Sequence, residues 1–408
     1  MLSGMIVLSV VCPVFALPTA FYGMNKNNNY WKVYSFLYAL FFASIAYNYY
    51  PVIETDLTRY LATAASYTDK PFSYVLETDQ SHLYVQDLWF WIIAQTKDYQ
   101  LIPAMSTFGV YFTGAYITNY ISYKQNDKSF AVWQLFMLFC CIDLTIVINY
   151  IRNILAFALI LLGFFRWVVE KKKNLITLLL IFLPIWLHSI AIFLVLLIFL
   201  APLMKYFRLA SVVVIFVMGT FINFAYKNLY FVITNKFFKA VVLKAYKYFN
   251  NDVATVWANQ TATNFMSKLV KFYNVSLIVF CIALFLFTRR NENEYEKRTN
   301  NIIQMRKELT LFNDYIFLIG IVTLGITIIT APIYRRFYTA FMIGSAGMLG
   351  SNFINRKFSK LLYAYSFIGL IKWLYTIHYE ATLWRLAGTF ITNPLYILIN
   401  IIISKFGL

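Results

Sequence analysis

An arginine flanked by asparagines interrupts an apolar stretch at residues 148–154, and His188 with Ser189 interrupts another one further along the chain. The planar fork of an arginine such as Arg152 can bind phosphate oxygens, and a histidine can accept a proton near neutral pH. Charged and polar side chains at membrane depth are costly unless they are paired, so these residues are candidates for function. The alternative is that Arg152 lies at a helix end and extends to the lipid headgroups.

The sequence around these side chains predicts a helical membrane protein. Of its 408 residues, 61% are hydrophobic and 13% are charged, and the mean hydropathy is +0.64. A soluble domain of this size could not bury that much apolar surface. Apolar runs recur along the whole chain, which favours an all-α, polytopic integral membrane protein with about 12–14 transmembrane helices. We expect a single transmembrane domain over residues 1–408.

The charged residues and the cysteines limit the kinds of partner, cross-link and metal site that the chain is expected to have. The formal net charge is +18, but the basic residues lie between apolar runs, with no soluble domain to present them to nucleic acid. They are better suited to fixing the topology and to meeting anionic lipids or a phosphate-bearing substrate. The four cysteines lie inside apolar runs without metal-ligand spacing, so neither disulfides nor a metal site is predicted. No cofactor is predicted.

Basic residues in the short loops predict the orientation. Placing the lysine cluster at residues 171–173 in the cytoplasm puts most short-loop lysines and arginines on the same side. The chain then starts outside and ends inside, with about thirteen spans. Among them are the first at about residues 2–22, the fourth at 130–148, the fifth at 152–170, the ninth at 269–287 and the tenth at 311–331. Three longer segments separate the spans: an outer loop at 51–98 with an interfacial helix near 83–95, an outer aromatic and basic loop at 227–268, and a cytoplasmic charged loop at 288–310.

This topology brings seven charged or titratable side chains to the outer face. They are Asp56, Arg59, Arg152, His188, Arg335, Arg336 and His378. If each of these side chains merely contacted lipid headgroups, they would be expected on both faces of the membrane. Their presence on one face favours a shared site.

Four short motifs in this group resemble the EpsG-type family of bacterial polysaccharide polymerases, which is related to the Wzy polymerases of O-antigen and capsule. The motifs are Asp56-Leu57-Thr58-Arg59-Tyr60, Arg152-Asn153-Ile154-Leu155-Ala156, His188-Ser189-Ile190-Ala191 and Tyr334-Arg335-Arg336-Phe337. Their order covers most of the chain.

The resemblance implies a fold like that of type-C glycosyltransferases and a reaction at the outer face of the bacterial inner membrane. A growing glycan leaves its undecaprenyl pyrophosphate and is transferred to a sugar hydroxyl of the next lipid-linked unit. The resemblance also implies a partner protein that regulates chain length. Two alternatives remain open: a ligase that uses the same lipid-linked donor for another acceptor, and a flippase or transporter of the lipid-linked glycan.

The reaction that the resemblance implies, together with the residue types, suggests roles for individual residues. Four arginines are expected to bind the pyrophosphate without a metal: Arg152, Arg335, Arg336 and Arg59. Four further residues are expected to contact the glycan: Tyr60, Asn153, Tyr334 and His378. The aromatic loop at 227–268 is expected to be either a lid over the glycan or an amphipathic helix on the membrane surface.

Two residues compete for the role of general base. His188 can accept the proton of the acceptor hydroxyl, or it can simply bond a neighbouring carbonyl at a helix end. Asp56 is the rival, and it can equally orient Arg59 one helical turn away. Asp143 is expected to pair with Arg152 across the turn between two spans, because a buried carboxylate usually has a partner.

Overall fold

The computed structural model describes residues 2–51, 55–78, 83–205, 265–290, 300–328, 333–350, 356–379 and 393–406, with isolated positions between 228 and 243. The regular elements of these residues are all helices, which confirms the all-α prediction for this part of the chain.

The first ten helices run almost without interruption. They are α1 (Leu2–Val11), α2 (Ala16–Lys26), α3 (Trp31–Tyr47), α4 (Asp56–Ser66), α5 (Phe72–Thr78), α6 (Tyr84–Ala94), α7 (Leu101–Gln125), α8 (Lys128–Cys141), α9 (Leu144–Asn149) and α10 (Ile151–Val168). Seven more follow: α11 (Leu175–Phe182), α12 (Ala191–Leu200), α13 (Phe265–Arg290), α14 (Asn300–Ile328), α15 (Tyr334–Gly350), α16 (Arg356–Tyr379) and α17 (Pro394–Phe406).

The helices form two compact units. The first holds the described residues of Met1–Asp79, Tyr84–Leu159 and Phe353–Leu408, and the second holds those of Gln80–Leu83 and Ile160–Asn352. Helix α10 begins in the first unit and ends in the second.

The first unit is built around the pair α3 and α7. The ring of Phe42 stacks on that of Tyr111 with centroids 3.7 Å apart, and the buried amide of Asn119 donates to Ser35 Oγ at 2.9 Å. Helix α8 packs on α16, and the buried Lys372 Nζ donates to the Cys141 carbonyl at 3.3 Å. Aromatic stacking and buried polar bonds therefore both fix this helix packing.

The second unit is built around α14 and α15. Gly344 lets Ile316 approach so closely that an added Cβ would lie 2.1 Å from the Ile316 Cδ1. The buried Tyr315 hydroxyl donates to the Leu194 carbonyl of α12 at 3.1 Å, which ties a third helix to the pair.

Three helices of the described chain are long and apolar enough to cross a membrane: Ile151–Val168, Lys268–Leu286 within α13 and Lys307–Thr327 within α14. They coincide with three of the spans that the sequence predicts. Shorter apolar helices occupy Leu2–Val11, Lys128–Cys141, Leu175–Trp186 and Ala191–Met204.

Two predicted spans are each interrupted. The first, near residues 2–22, is divided between α1 and α2 by a 3-10 turn that begins at Pro13, because proline cannot donate the backbone bond that a continuous helix needs. The predicted fourth span is divided between α8 and α9, because Asp143 caps the N-terminus of α9 by accepting from the Ile146 N–H at 3.4 Å.

The polar segment after α3 is more ordered than the sequence suggests. The sequence predicts one interfacial helix between residues 51 and 98, and the structure has α4, α5 and α6 there. Helices α4 and α6 pack against each other, and α5 packs against α6. The loop predicted at 227–268 lies almost entirely outside the described residues, and within 288–310 the described helices end at Arg290 and resume at Asn300.

Candidate functional site around Arg152

The side chain of Arg152, in the first turn of α10, is held by residues of two other helices. Its Nη1 donates to the Gln86 Oε1 of α6, and its Nη2 donates to the Tyr60 hydroxyl of α4 at 3.0 Å. The guanidinium carbon also lies 4.3 Å from the centroid of the Tyr60 ring. Arg152 is half-buried in this arrangement.

Helix α4 carries Tyr60 into place through a strong N-terminal cap. The Thr55 side chain accepts from the Thr58 N–H at 3.4 Å, and Asp56 occupies the first turn, where a negative charge suits the helix dipole. Asp56 and Tyr60 are four residues apart, so they share one face of α4. Asp56 also accepts from Arg59 in an ion pair, and the Arg59 side chain is 73% exposed.

Helix α6 is fixed against the end of α4 by bonds from its far end. The Trp91 indole donates to the Lys70 carbonyl at 2.8 Å, and the Gln95 amide donates to the Tyr67 carbonyl at 3.1 Å. The ring of Phe90, which is fully buried, lies 6.0 Å from that of Tyr60. These contacts set the position of α6 from which Gln86 reaches Arg152.

The start of α10 is anchored as well. The buried Ser106 of α7 donates to the carbonyl of Ile151 at 3.0 Å. Asn153, which the sequence places on the glycan side of the site, is only 3% exposed. A residue buried to that extent is better suited to supporting the start of α10 than to contacting a sugar.

The guanidinium of Arg152 forms no ion pair with a residue of the described chain. Gln86 and Tyr60 are both neutral, and the Arg152 Nε is buried without a hydrogen-bond partner in this part of the chain. A desolvated charge is normally balanced by an opposite charge. The arrangement holds the guanidinium in place without neutralising it, which suits the binding of an anion.

The predicted ion pair between Asp143 and Arg152 is wrong. The Asp143 carboxylate accepts from the Thr145 hydroxyl at 2.8 Å and from the Ile146 N–H. Within the described chain these two residues form no ion pair. Asp143 begins a helix, and the backbone donors of its own first turn lie closer than any distant arginine.

His188 lies in the second unit, between the 3-10 turn that follows α11 and the start of α12. It is 3% exposed, and its Nδ1 accepts from the Ile190 N–H at 3.2 Å. A neutral imidazole that accepts at Nδ1 carries its proton on Nε2. This geometry presents His188 as an N–H donor at Nε2, whereas a general base needs a lone pair there.

Tyr334, Arg335 and Arg336 form the first turn of α15, also in the second unit. Tyr334 is 7% exposed, and its hydroxyl accepts from the Arg335 Nε at 3.4 Å. Both arginines are half-buried. Both cations lie at a helix N-terminus, where positive charge opposes the helix dipole.

The remaining predicted residue, His378, belongs to α16 in the first unit, one position before the last residue of that helix, Tyr379. Its backbone is helical, so the polar stretch expected there begins within a helix.

Asp98, between α6 and α7, is a further polar side chain close to α6. It accepts from the Tyr47 hydroxyl at 2.8 Å. Burial raises the pKa of the Asp98 carboxyl above its ordinary value, and the bonds from Tyr47 and from the Gln100 N–H offset part of that rise.

Sequence reasoning did not identify Gln86 or its neighbour Asp87, which is 2% exposed. Both lie in the polar segment where only an apolar interfacial helix was expected. A usable signal was present: Gln86 and Asp87 are adjacent polar residues inside the otherwise apolar run of α6.

Comparison with protein-family models, with curated proteins and with solved structures found no match to this chain.

Proposed function

We propose that this chain is a polytopic membrane glycosyltransferase that joins glycan repeat units carried on undecaprenyl pyrophosphate, at the outer face of a bacterial inner membrane. Arg152 binds the pyrophosphate of the donor, and no metal is needed there because the guanidinium supplies the positive charge. The proposal rests on Arg152, which has no ion pair within the described chain, and on the four motifs that resemble the EpsG-type polymerases.

The observation that carries the proposal is the set of partners of Arg152. Gln86 and Tyr60 fix the guanidinium with two hydrogen bonds and one ring face, but neither contributes negative charge. A doubly charged leaving group supplies that charge, and its binding becomes stronger as the bond to the sugar breaks.

The exposed apolar surface supports the membrane location. Large hydrophobic side chains are prominently exposed on helices of both units, for example Leu175 at 70%, Phe272 at 72% and Phe367 at 61%. Patches of this kind are unfavourable in water and are suited to lipid. The further spans, the inner-membrane location and the predicted orientation belong to the same proposal.

In the transfer step, the acceptor hydroxyl attacks the anomeric carbon of the donor glycan. The new carbon–oxygen bond forms as the bond to the pyrophosphate breaks, and the electron pair leaves on the phosphate oxygen beside Arg152. The hydroxyl proton passes to a carboxylate, for which we propose Asp56, because it lies one helical turn from Tyr60 on the same face of α4. Arg59 forms an ion pair with the Asp56 carboxylate and holds it in place.

The test uses the full-length protein in lipid nanodiscs with a lipid-linked repeat unit of the host strain. Wild-type protein is expected to produce a ladder of polymers, and Arg152→Gln is expected to produce none. Arg166→Gln is the matched control, since Arg166 lies at the opposite end of α10 and its Nε is likewise buried without a hydrogen-bond partner in the described chain. It should keep the ladder.

Two outcomes contradict the proposal. If Arg152→Gln elongates the glycan as well as wild type does, Arg152 is not the pyrophosphate site. If wild type moves single units to another acceptor without forming a ladder, the activity is that of a ligase. A parallel reaction with a chelator tests the metal-independent step, and it is expected to proceed unchanged.

A further inference from the structure

The buried carboxylate of Asp87 lies next to Gln86, which is a hydrogen-bond partner of Arg152. Asp87 is 2% exposed, and its Oδ1 accepts from the Gln86 Nε2 at 3.0 Å. The Tyr67 hydroxyl approaches the same oxygen at 3.5 Å. Gln86 in turn presents its Oε1 to Arg152. Asp87, Gln86 and Arg152 thus form a continuous chain of hydrogen bonds.

The order of donors and acceptors in this chain is fixed by chemistry. An ionised carboxylate can only accept hydrogen bonds, and a guanidinium can only donate them. A glutamine between the two must turn its NH2 group to Asp87 and its carbonyl oxygen to Arg152. If the amide were rotated by half a turn, its NH2 group would face the guanidinium and repel it.

We propose that Asp87 is a positioning residue for Arg152, which acts by locking the amide of Gln86 in the orientation that holds the guanidinium. This inference rests on the proposed function, because the held guanidinium is the donor-binding group. Asp87 does not touch the donor.

The arrangement also explains why a neutral residue stands between the two charges. A carboxylate in direct contact with Arg152 would neutralise it and compete with the pyrophosphate. Asp87 orients Gln86, and Gln86 in turn orients Arg152. Gln86 also separates the carboxylate from the guanidinium. The guanidinium is therefore fixed and still able to bind an anion.

The variants Asp87→Asn and Asp87→Leu test this role. The Oδ1 of asparagine can still accept from Gln86, so Asp87→Asn is expected to bind the lipid-linked donor nearly as wild type does. Leucine cannot accept, and a misplaced binding group costs about tenfold to a hundredfold, so Asp87→Leu is expected to raise the KM for the donor by that factor. A general packing role for Asp87 would not predict rescue by asparagine.

A second set of variants, made in Gln86→Leu protein, tests whether Asp87 acts through Gln86. In Gln86→Leu protein, Asp87→Leu is expected to add no further rise in KM, because the amide through which it acts is gone. A further rise of the same size would overturn the proposal, and so would wild-type donor binding by Asp87→Leu.

A double-mutant cycle measured by thermal unfolding tests the positioning role of Asp87 without an activity assay. The effects of Asp87→Leu and Arg152→Gln on the unfolding midpoint are expected to be non-additive in wild-type protein and additive in the Gln86→Leu background. Additive effects in both backgrounds reject the positioning role. Failure of wild type to bind any lipid-linked donor rejects the proposed function, and the cycle still reports whether Asp87 and Arg152 are coupled.

Discussion

The Tyr60 side chain contacts Arg152 in two ways. The Arg152 Nη2 donates to the Tyr60 hydroxyl at 3.0 Å, and the guanidinium carbon lies 4.3 Å from the centroid of the Tyr60 ring. The hydroxyl fixes the direction of one nitrogen, and the ring face stabilises the positive charge without cancelling it. One residue of α4 thus sets both the orientation and the electrostatics of the arginine.

Replacing Tyr60 separates the two contacts. Tyr60→Phe keeps the ring and removes a hydrogen bond to a charged group, which contributes about 1.5 kcal/mol, so donor affinity should fall roughly tenfold. Tyr60→Leu removes the ring as well and should weaken binding by a further factor of about 3 to 30. Titration of labelled lipid-linked donor into nanodisc-embedded protein measures both steps. Equal affinities for the two variants would show that the ring contributes nothing.

The stability of the segment that ends in Asp98 should depend on pH. Burial raises the pKa of this carboxyl in the folded protein, so the ionised form is disfavoured there relative to the unfolded chain. The contribution of Asp98 to stability should therefore be fully present below the ordinary carboxyl pKa and should be lost as the pH rises through the raised value. Asp98→Asn keeps an acceptor for Tyr47 and removes the charge.

The difference between wild type and Asp98→Asn is the measurement. Unfolding midpoints in detergent should agree near pH 4, and the variant should unfold at the higher temperature near pH 7. A variant that is less stable than wild type at neutral pH would mean that the carboxylate charge is itself stabilising.

The contact between α10 and α11 depends on the absence of a side chain at Gly163. An added Cβ would lie 2.8 Å from the Ile181 Cγ1 and 3.1 Å from the Ile181 backbone nitrogen. Because backbone cannot move aside as a flexible side chain does, Gly163→Ala should destabilise the protein by about 1–3 kcal/mol. Gly4→Ala is the matched control, since nothing lies within 4 Å of its added Cβ. The unfolding midpoints of both variants in detergent are the readout, and equal midpoints would contradict the tight packing.

The sequence draws attention to Arg152 of the candidate site but not to the residues that surround it. Arg152 stands out because a single charge in apolar sequence is conspicuous, and its helix is confirmed. Its partner Gln86 lies 66 positions away, and only the packing of α6 brings them together. No local pattern encodes that contact, so the sequence alone suggested Asp143 as the partner.

The interrupted spans have a similar explanation. Mean hydropathy does not distinguish a continuous apolar helix from two short ones, so the first and fourth predicted spans each looked complete. The breaks depend on single residues, Pro13 and Asp143, whose backbone chemistry outweighs the apolar residues around them. The long helices α13 and α14 contain no proline in their apolar windows, and each coincides with a predicted span.

His188 should act through its Nε2 proton, because its Nδ1 accepts from the Ile190 N–H. Glutamine places an NH2 group near the position of Nε2, so His188→Gln should keep much of the activity. His188→Ala removes the donor and should be the less active of the two variants. Single-turnover rates with lipid-linked donor measure the difference. If glutamine is as inactive as alanine, the donor role of His188 is rejected and its role as a general base stays a prediction.

Helix α6 should lie in the interface between the membrane and water. Its residues Tyr84, Leu88 and Ile92 are 45%, 41% and 52% exposed, and their spacing of four residues forms one apolar stripe. The opposite face carries Gln86 and the site. An 11-residue helix is about 16 Å long, too short to cross a hydrocarbon core of about 30 Å.

Spin labels on this stripe test the assignment. In a variant without native cysteines, a nitroxide at Leu88→Cys or Ile92→Cys should be relaxed more by oxygen, which concentrates in lipid, than by a water-soluble nickel chelate. A nitroxide at Lys97→Cys is the control, because the Lys97 side chain is 66% exposed and pairs with Asp69. It should respond mainly to the nickel chelate. The same preference for nickel at Leu88 and Ile92 would place the stripe in water, and α6 would then need another apolar partner.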